Sequence, residues 1–216
     1  MGLLSFLKSD KPTYTDKVWR TKTMAWRGMI TEALKALTQN EIAIVFTFFD
    51  KTQTEIIDFL NQSNVPYFQL VPNQTSEAAN QEKVFLCNVE VLQSTAMMGL
   101  ISTWSAKTKV TFLFAGHYPL PSKEQLVIQR LNTSFPKSEI IFCSSLDNPS
   151  FKIFGSERIV DLLDKLGMKE DEAIEHAMVT KAMENARTKV ESSVTHETKA
   201  ESEEEWFVKN VKSGKP

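Results

Sequence analysis

Glycine is scarce in this chain, and its spacing excludes the common phosphate-binding loops. Seven glycines occur among the 216 residues, at positions 2, 28, 99, 116, 155, 167 and 214. No two of them have the separation that G-x-G-x-x-G or the P-loop motif G-x-x-x-x-G-K-[ST] requires. No apolar run ends in a pair of acidic residues that would hold magnesium beside such a loop. The sequence therefore predicts no glycine-rich nucleotide loop of its own.

Cysteine and histidine are also sparse, which argues against a disulfide framework and a metal centre. Cys87 and Cys143 each lie within an apolar run, which is typical of buried, reduced thiols. The three histidines lack metal-ligand spacing, and where His196 begins an H-E-x-x-H pattern, Ala200 stands in place of the second histidine. No G-x-S-x-G elbow is present. We expect no metal, no cofactor and no hydrolytic triad.

A basic field and a long apolar run are both absent. Lys and Arg number 25 against 27 Asp and Glu, and the net charge is −2, so we expect no nucleic-acid partner. No apolar run approaches the roughly 20 residues that span a bilayer. In the apolar leader, residues 1–12, the alternatives for residues 3–7 are weak peripheral membrane contact, a frayed terminus, or a flap on the core. We expect a cytoplasmic protein, with peripheral attachment at the inner membrane as the alternative.

Helical and extended patterns alternate along residues 13–172, which predicts one α/β domain. Five apolar runs predict buried strands at residues 42–49, 67–71, 83–89, 109–116 and 139–145. Helices are predicted at residues 15–37, from Asp50 onward, and at about residues 94–104. A fourth helix should begin at a capping box formed by Ser122 and Gln125. A fifth should cover residues 156–166 and end at Gly167, which would act as a left-handed cap. Strands and helices that alternate at such short spacings predict a three-layer, RecA-like parallel sheet with helices on both faces.

An amphipathic helix is predicted at residues 173–192, followed by a charged tail at residues 193–216. Apolar residues recur at intervals of three and four along the helix, and an isolated apolar pair stands in the tail. Two alternatives stay open for both sets: they pack on the domain's own surface, or they bind another protein. The candidate partner-binding residues are Ile174, Met178, Val179, Ala182, Met183, Ala186, Val190, Trp206 and Phe207.

Residues 156–192 read SERIVDLLDKLGMKEDEAIEHAMVTKAMENARTKVES. They resemble the segment of the SecA preprotein translocase ATPases in which the second nucleotide-binding domain continues into the long scaffold helix. That family typically reads Lys-Leu-Gly, then Glu-x-Ile-Glu-His, then a helix with Lys-Ala-Ile-x-x-Ala. Residues 141–159 are also similar to that family, and weaker similarity in residues 23–37 and 41–67 extends the resemblance over nearly the whole chain. It implies a bacterial protein built like the second, RecA-like half of SecA plus the start of the scaffold helix.

The resemblance also implies where a nucleotide would meet this domain. In SecA, ATP lies between two RecA-like halves, and the second half contributes a Gly-Arg-Gly-Thr-Asp motif and a Gln-x-x-Arg-x-Gly-Arg motif. The first motif should follow Val89, where residues 90–95 read EVLQST. The second should lie near residues 126–132, where Arg130 is the candidate equivalent or else an ordinary surface residue. An arginine finger speeds phosphoryl transfer by ~10³–10⁵-fold, so we expect no ATPase activity from this chain alone.

Two hypotheses from different classes follow from the resemblance. The first is a noncatalytic, SecA-like interaction or accessory factor related to preprotein translocation. Its partners, by resemblance, would be a SecA, the translocation channel or a second copy of the chain. The alternative is a nucleotide-binding regulatory protein, or an ATPase subunit that takes its P-loop half from a partner. Saturable binding of ATP or ADP would favour the alternative.

Overall fold

A six-stranded sheet forms the centre of the protein. The computed structural model describes residues 14–72, 84–105, 109–153, 169 and 171–211. The strands are β1 (Thr15–Trp19), β2 (Ile42–Thr47), β3 (Tyr67–Gln69), β4 (Val84–Asn88), β5 (Val110–Ala115) and β6 (Glu139–Ser145). Their order across the sheet is β1-β6-β5-β2-β4-β3, and every neighbouring pair runs parallel. Parallel strands need crossover connections, and a helix lies in each described connection other than the one between β3 and β4.

Helices cover both faces of the sheet. They are α1 (Lys22–Thr38), α2 (Asp50–Gln62), α3 (Thr95–Ser105), α4 (Pro121–Ser134), α5 (Pro149–Ile153), α6 (Ala177–Ser193) and α7 (Glu203–Asn210). Alternate residues of β2 show the two layers. Ile42, Ile44 and Phe46 pack in the cluster that includes α3 and α4. Ala43 and Val45 pack in the cluster that includes α1 and α2. The prediction of a three-layer, RecA-like parallel sheet is therefore confirmed.

The predicted helix at residues 15–37 is wrong at its start. Its first residues form the edge strand β1, which pairs with β6, and α1 begins at Lys22 behind the capping side chain of Thr21. Trp19 caused the error, because its spacing from later apolar residues is typical of a helix. It lies in β1, and its side chain packs against α1. Its indole lies against Gly28, where an added Cβ would come within 2.0 Å of the ring carbon Cζ2.

The capping box predicted at Ser122 and Gln125 is also wrong. α4 begins at Pro121, and Leu120 in the N-cap position makes no side-chain cap bond. Ser122 contacts α6 instead: its backbone N–H donates to Glu191 Oε1 at 3.1 Å, and its hydroxyl donates to the same oxygen. The Ser122 hydroxyl therefore makes a long-range bond to α6 and does not cap α4.

Two sequence predictions lie outside the described residues. They are the helix at residues 156–166 with its cap at Gly167, and the apolar leader at residues 1–12, which contains the candidate membrane contact at residues 3–7. The domain boundaries inferred from the sequence likewise stay predictions. None of the helices that the structure describes is long and apolar enough to cross a lipid bilayer.

α6 follows the sheet domain and packs back on it. Just before the helix, Ile174 forms an antiparallel bridge with Val18 of β1, with N···O distances of 3.2 and 2.7 Å. Val179 and Met183 then join a buried cluster with Phe151 of α5. The C-terminal half of α6 thereby reaches the carboxyl ends of the central strands, where the candidate site lies.

Candidate functional site at the carboxyl edge of the sheet

One groove lies at the carboxyl ends of β2, β4 and β5, the edge at which parallel α/β sheets bind ligands. It has a volume of about 530 Å³, and its walls include Phe48, Tyr118 and the 3₁₀ turn Val89–Gln93. Arg130 lies on the α4 wall, one helical turn after Leu126. The structure thus brings together the two positions that the sequence resemblance matched to nucleotide motifs.

Carboxylates neutralise most of the positive charge in this groove. Lys199 Nζ lies 3.2 Å from Glu90 Oε1, and Lys123 Nζ pairs closely with Glu197 Oε2. Arg130 is exposed, and it makes no hydrogen bond or ion pair within the described part of the chain. Both ion pairs are exposed in part and contribute little to stability. Their consequence is electrostatic, because a multiply charged nucleotide phosphate would meet one unpaired cation, Arg130, among the groove residues that the structure describes.

The turn Val89–Gln93 lies where the resemblance to SecA would place the Gly-Arg-Gly-Thr-Asp motif. Its side chains are apolar, acidic or amide, and none is basic. Val91 and Leu92 are buried in the core. Asn88 Oδ1 accepts a bond from the Glu90 N–H at 3.0 Å, and Asn88 Nδ2 donates to Asp50 Oδ1 at 2.9 Å. The turn is therefore held by the core and by Asn88, and its polar contribution to the groove includes a carboxylate that repels phosphate.

Four charged side chains are buried together next to the groove. His117 Nε2 lies 3.0 Å from Asp16 Oδ1, and His117 Nδ1 lies 3.0 Å from Glu124 Oε2. Arg187 Nη2 donates to Glu124 Oε1 at 2.6 Å, and Arg187 Nε donates to the Tyr118 carbonyl at 3.1 Å. None of the four charged residues is more than 8% exposed. This charge cluster joins β1, the β5–α4 connection and α6.

Backbone geometry places His117 in the cluster. Gly116 has a φ of 87°, a conformation that residues with a Cβ rarely adopt, and it turns the chain at the end of β5. The imidazole then stacks on Phe142 of β6, with ring centroids 4.3 Å apart and planes 3° from parallel. Glu124 returns on the first turn of α4, where its carboxylate also accepts from the Tyr118 N–H at 2.9 Å.

The two carboxylates decide the protonation of His117. Burial by itself lowers the pKa of His117, but Glu124 and Asp16 outweigh burial and the opposing charge of Arg187, so the pKa is raised. Burial raises the pKa of Glu124, whereas His117, Arg187 and the Tyr118 N–H together hold it below its usual range. Protonation of His117 would balance the two buried carboxylates with two cations, and Arg187 Nη1, which lies 2.9 Å from His117 Nδ1, opposes it.

The members of the charge cluster are almost fully buried and pair with one another, which indicates a structural role, and His117 alone among them borders the cavity beside Glu203. Asp16 Oδ2 is its one polar side-chain atom without a hydrogen-bond partner among the described residues. Sequence reasoning missed the cluster, although one signal was present: Arg187 lies on the same helical face as Met183 and Val190, within an apolar stripe. Its partners Glu124 and His117 stand 63 and 70 residues away, a separation that no local pattern reveals.

The candidate partner-binding residues fall into two groups. Seven are buried within this chain, and they are Ile174, Val179, Met183, Ala186, Val190, Trp206 and Phe207. Met178 and Ala182 are exposed on the outer side of α6. The seven buried residues therefore pack on the chain's own domain. Partner binding stays a prediction, and only Met178 and Ala182 of the candidate residues are accessible to a partner.

Residues 197–210, here called the tail unit, cover the carboxyl edge beside the groove. Trp206 is fully buried, in a cluster with Phe49, Leu120 and Val190. Its indole N–H donates to Glu197 Oε1 at 2.7 Å, and the hydroxyl of Tyr118 donates to the same oxygen. The apolar pair in the tail is thus attached to the sheet domain rather than exposed.

A second contact of the tail unit is acidic. Glu203 Oε2 accepts from Asn148 Nδ2, and Glu203 Oε1 accepts from Ser150 Oγ, both at 2.9 Å. Burial raises the pKa of Glu203, and these two donors offset part of that effect. Glu203 also borders a cavity of about 180 Å³ whose walls include Lys22 and His117. The tail unit therefore contacts this edge through the apolar Trp206 cluster and through two carboxylates, Glu197 and Glu203.

Of the two cysteines, Cys143 borders the cavity beside Glu203, whereas Cys87 lies in the core. Cys87 and Cys143 are buried and unpaired, as the sequence predicted, and burial raises the pKa of both thiols, which keeps them protonated and unreactive. Among the residues with described positions, no group of three His, Cys, Asp or Glu side chains is placed to hold a metal ion.

Comparison with known proteins finds one recurring relative. The SecA translocase subunit of Acidithiobacillus ferrooxidans is 63% identical over 51 residues, which are 24% of this chain and 6% of that protein. The SecA of Desulfotalea psychrophila is 27% identical over 184 residues, which are 82% of this chain and 22% of that protein. This chain is similar to SecA. No protein-family model matches the SecA-like chain, and it spans about a fifth or less of these relatives' length.

Two solved structures are similar to part of the SecA-like chain. The C-terminal part of the Fun30 ATPase domain has a TM-score of 0.39 and 12% identity, over 77% of this chain and 54% of that one. Domain 2 of the DEAD-box helicase Mss116p, bound to an RNA duplex, has a TM-score of 0.37 and 12% identity, over 80% and 68%. The fold assignment rests on the strand order and the layers described above.

Proposed function

We propose that the chain is a noncatalytic, SecA-like interaction or accessory factor related to protein translocation. Its similarity to protein translocase subunits supports the link to translocation. The observation that carries the noncatalytic part is the charge pairing in the groove, where Glu90 and Glu197 neutralise Lys199 and Lys123.

Phosphoryl transfer depends on cations that stabilise the charge of the transferring phosphate, and removal of an arginine finger costs ~10³–10⁵-fold in rate. In this groove the turn Val89–Gln93 supplies a carboxylate, and the lysines are already paired. Arg130 is the remaining unpaired cation among the described groove residues. We therefore propose that this chain alone does not hydrolyse ATP.

Arg130 also favours the second candidate, a nucleotide-binding regulatory protein or an ATPase subunit that takes its P-loop half from a partner. It lies in a groove of nucleotide-compatible size, and no described residue neutralises it. A partner that supplied further cations and magnesium would complete such a site. Calorimetric titration with ATP and with ADP separates the two candidates, since only the second predicts saturable binding.

The outer face of α6 is our proposed partner contact. Met178 is 64% exposed, and Ala182 lies one helical turn further along the same face. On the similarity to SecA, we propose a SecA, the translocation channel or a second copy as the partner. A cytoplasmic location, with peripheral contact at the inner membrane through residues 3–7, belongs to the same proposal.

Affinity capture of the full chain from a lysate of its own source cells tests this role. Met178→Glu/Ala182→Glu is the test variant, and Leu34→Glu, at an exposed apolar position of α1, is the matched control. We expect SecA or channel subunits with the unchanged chain and the control, and their loss with the double variant. Absence of SecA and channel subunits from every preparation would contradict a role in translocation.

A further inference from the structure

The tail unit is held together by its own hydrogen bonds. Ser202 caps α7, since its hydroxyl accepts from the Glu205 N–H at 3.1 Å. Three further bonds close the unit on itself: Asn210 Nδ2 to the Thr198 carbonyl at 2.9 Å, Lys209 Nζ to the Lys199 carbonyl at 3.1 Å, and Trp206 Nε1 to Glu197 Oε1 at 2.7 Å. These four bonds lie within the unit, so they are kept when the unit docks on another copy.

The surface that receives the tail unit, here called the receiving surface, combines apolar and polar contacts. Phe49 and Leu120 supply the apolar contact to Trp206. The polar contacts are Asn148 and Ser150 to Glu203, Tyr118 and Lys123 to Glu197, and the Lys51 N–H to the Glu201 carbonyl at 3.0 Å. An apolar site with carboxylate-binding donors on two sides recognises an acidic segment that carries a large aromatic residue.

Residues 194–196 join the tail unit to α6. Val194 is partly buried, and its N–H donates to the Glu191 carbonyl at 3.2 Å, which ends the helix. Thr195 and His196 are exposed, and they make no hydrogen bond or ion pair within the described part of the chain. Rotation in this link therefore changes the position of the tail unit without breaking α6 or the bonds inside the unit.

We infer that the tail unit also docks in trans, so that two copies of this chain exchange tail units across their receiving surfaces. A second copy is the occupant that the surface fits, because this chain itself carries the matching Glu197, Glu203 and Trp206. Exchange repeats every contact of the closed monomer. The free-energy cost of exchange therefore comes from rearranging residues 194–196 and from bringing two copies together. The inference goes beyond the proposed function and does not depend on a role in translocation.

Deletion of Thr195 and His196 from the full chain tests the exchange. Two residues span at most about 7 Å, so the shortened link keeps the tail unit from its own receiving surface but leaves a second copy's surface accessible. We expect light scattering after size exclusion to show a dimer for the deletion variant. Insertion of Gly-Ser at the same place is the matched control, and it should leave the chain a monomer at the same concentration.

Addition of Trp206→Ala to the deletion variant identifies the surface that associates. Return to a monomer supports tail exchange, because the substitution removes the apolar contact of the tail unit alone. A deletion variant that stays monomeric would overturn the inference. A dimer that survives Trp206→Ala would overturn it as well, since association would then use another surface.

A binding measurement covers the case in which the deletion variant does not fold. The probe is a fluorescent peptide of residues 197–211, titrated into the full chain carrying Trp206→Ala, whose own tail unit docks weakly. We expect saturable binding, and roughly 30-fold weaker binding for the same peptide with Trp206→Ala, as for a buried aromatic anchor. Absence of saturable binding by the unaltered peptide would contradict docking in trans.

Discussion

Glu124 is the residue on which the buried charges converge. Its carboxylate contacts His117, accepts the backbone N–H of Tyr118, and pairs with Arg187 across 63 residues of chain. A buried ion pair is weak evidence of net stabilisation, but loss of one partner leaves an uncompensated buried charge that costs several kcal/mol. The charge cluster therefore makes the attachment of α6 sensitive to single substitutions.

Arg187→Met removes the guanidinium from this cluster and leaves the two carboxylates with His117 alone. We expect the free energy of unfolding to fall by about 3–5 kcal/mol in urea denaturation, the range for breaking a buried pair. Lys189→Met, at an exposed position of the same helix, is the matched control and should change stability by less than about 0.5 kcal/mol. Similar small effects from both variants would show that the cluster does not anchor α6.

His117 should make stability depend on pH. Its folded pKa is raised above the ordinary histidine value of 6.5, so the stability it contributes is fully present below that value and is lost as pH rises through the folded pKa. We expect the free energy of unfolding to decrease from near pH 6.5 upward, and His117→Gln to remove that decrease. Urea denaturation at a series of pH values measures both slopes, and parallel slopes would argue against a protonated His117.

At the scale of elements, the central strands were predictable and the edge strand was not. β2 and β5 are runs of apolar residues, as burial on both faces demands. β1 has the sequence TDKVW, in which Asp16 is buried by its contact with His117 and Trp19 packs against α1. No local periodicity distinguishes such a strand from the start of the next helix.

Two glycines within helices should respond oppositely to alanine. A Cβ at Gly28 of α1 would lie 2.0 Å from Cζ2 of Trp19, so Gly28→Ala should destabilise the protein by about 1–3 kcal/mol through overpacking. A Cβ at Gly99 of α3 would meet nothing within 4 Å, so Gly99→Ala should stabilise it by roughly 0.5–1 kcal/mol. Thermal denaturation measures both, and stabilisation by Gly28→Ala would show that Trp19 does not pack as described.

At the scale of the whole molecule, the periodicity of the sequence was enough to predict the layer architecture. The candidate site could be predicted only in part. The positions of Arg130 and residues 90–95 came from the resemblance to SecA, and the structure shows that they share one groove. The pairing of Lys199 with Glu90, over 109 residues, and the burial of Trp206 depend on where the chain returns after α6. Such contacts are set by tertiary packing, which one sequence does not encode in any local pattern.

Calorimetric titration of the full chain with ATP and with ADP, each in the presence of Mg²⁺, tests most directly our proposal that this chain is an interaction factor and not a nucleotide-binding protein. Because carboxylates neutralise the lysines of the groove, we expect no saturable heat up to about 1 mM nucleotide, the upper end of usual KM values. Saturable binding that Arg130→Ala abolishes, and that the exposed control Lys137→Ala retains, would contradict the proposal and favour a nucleotide-binding protein.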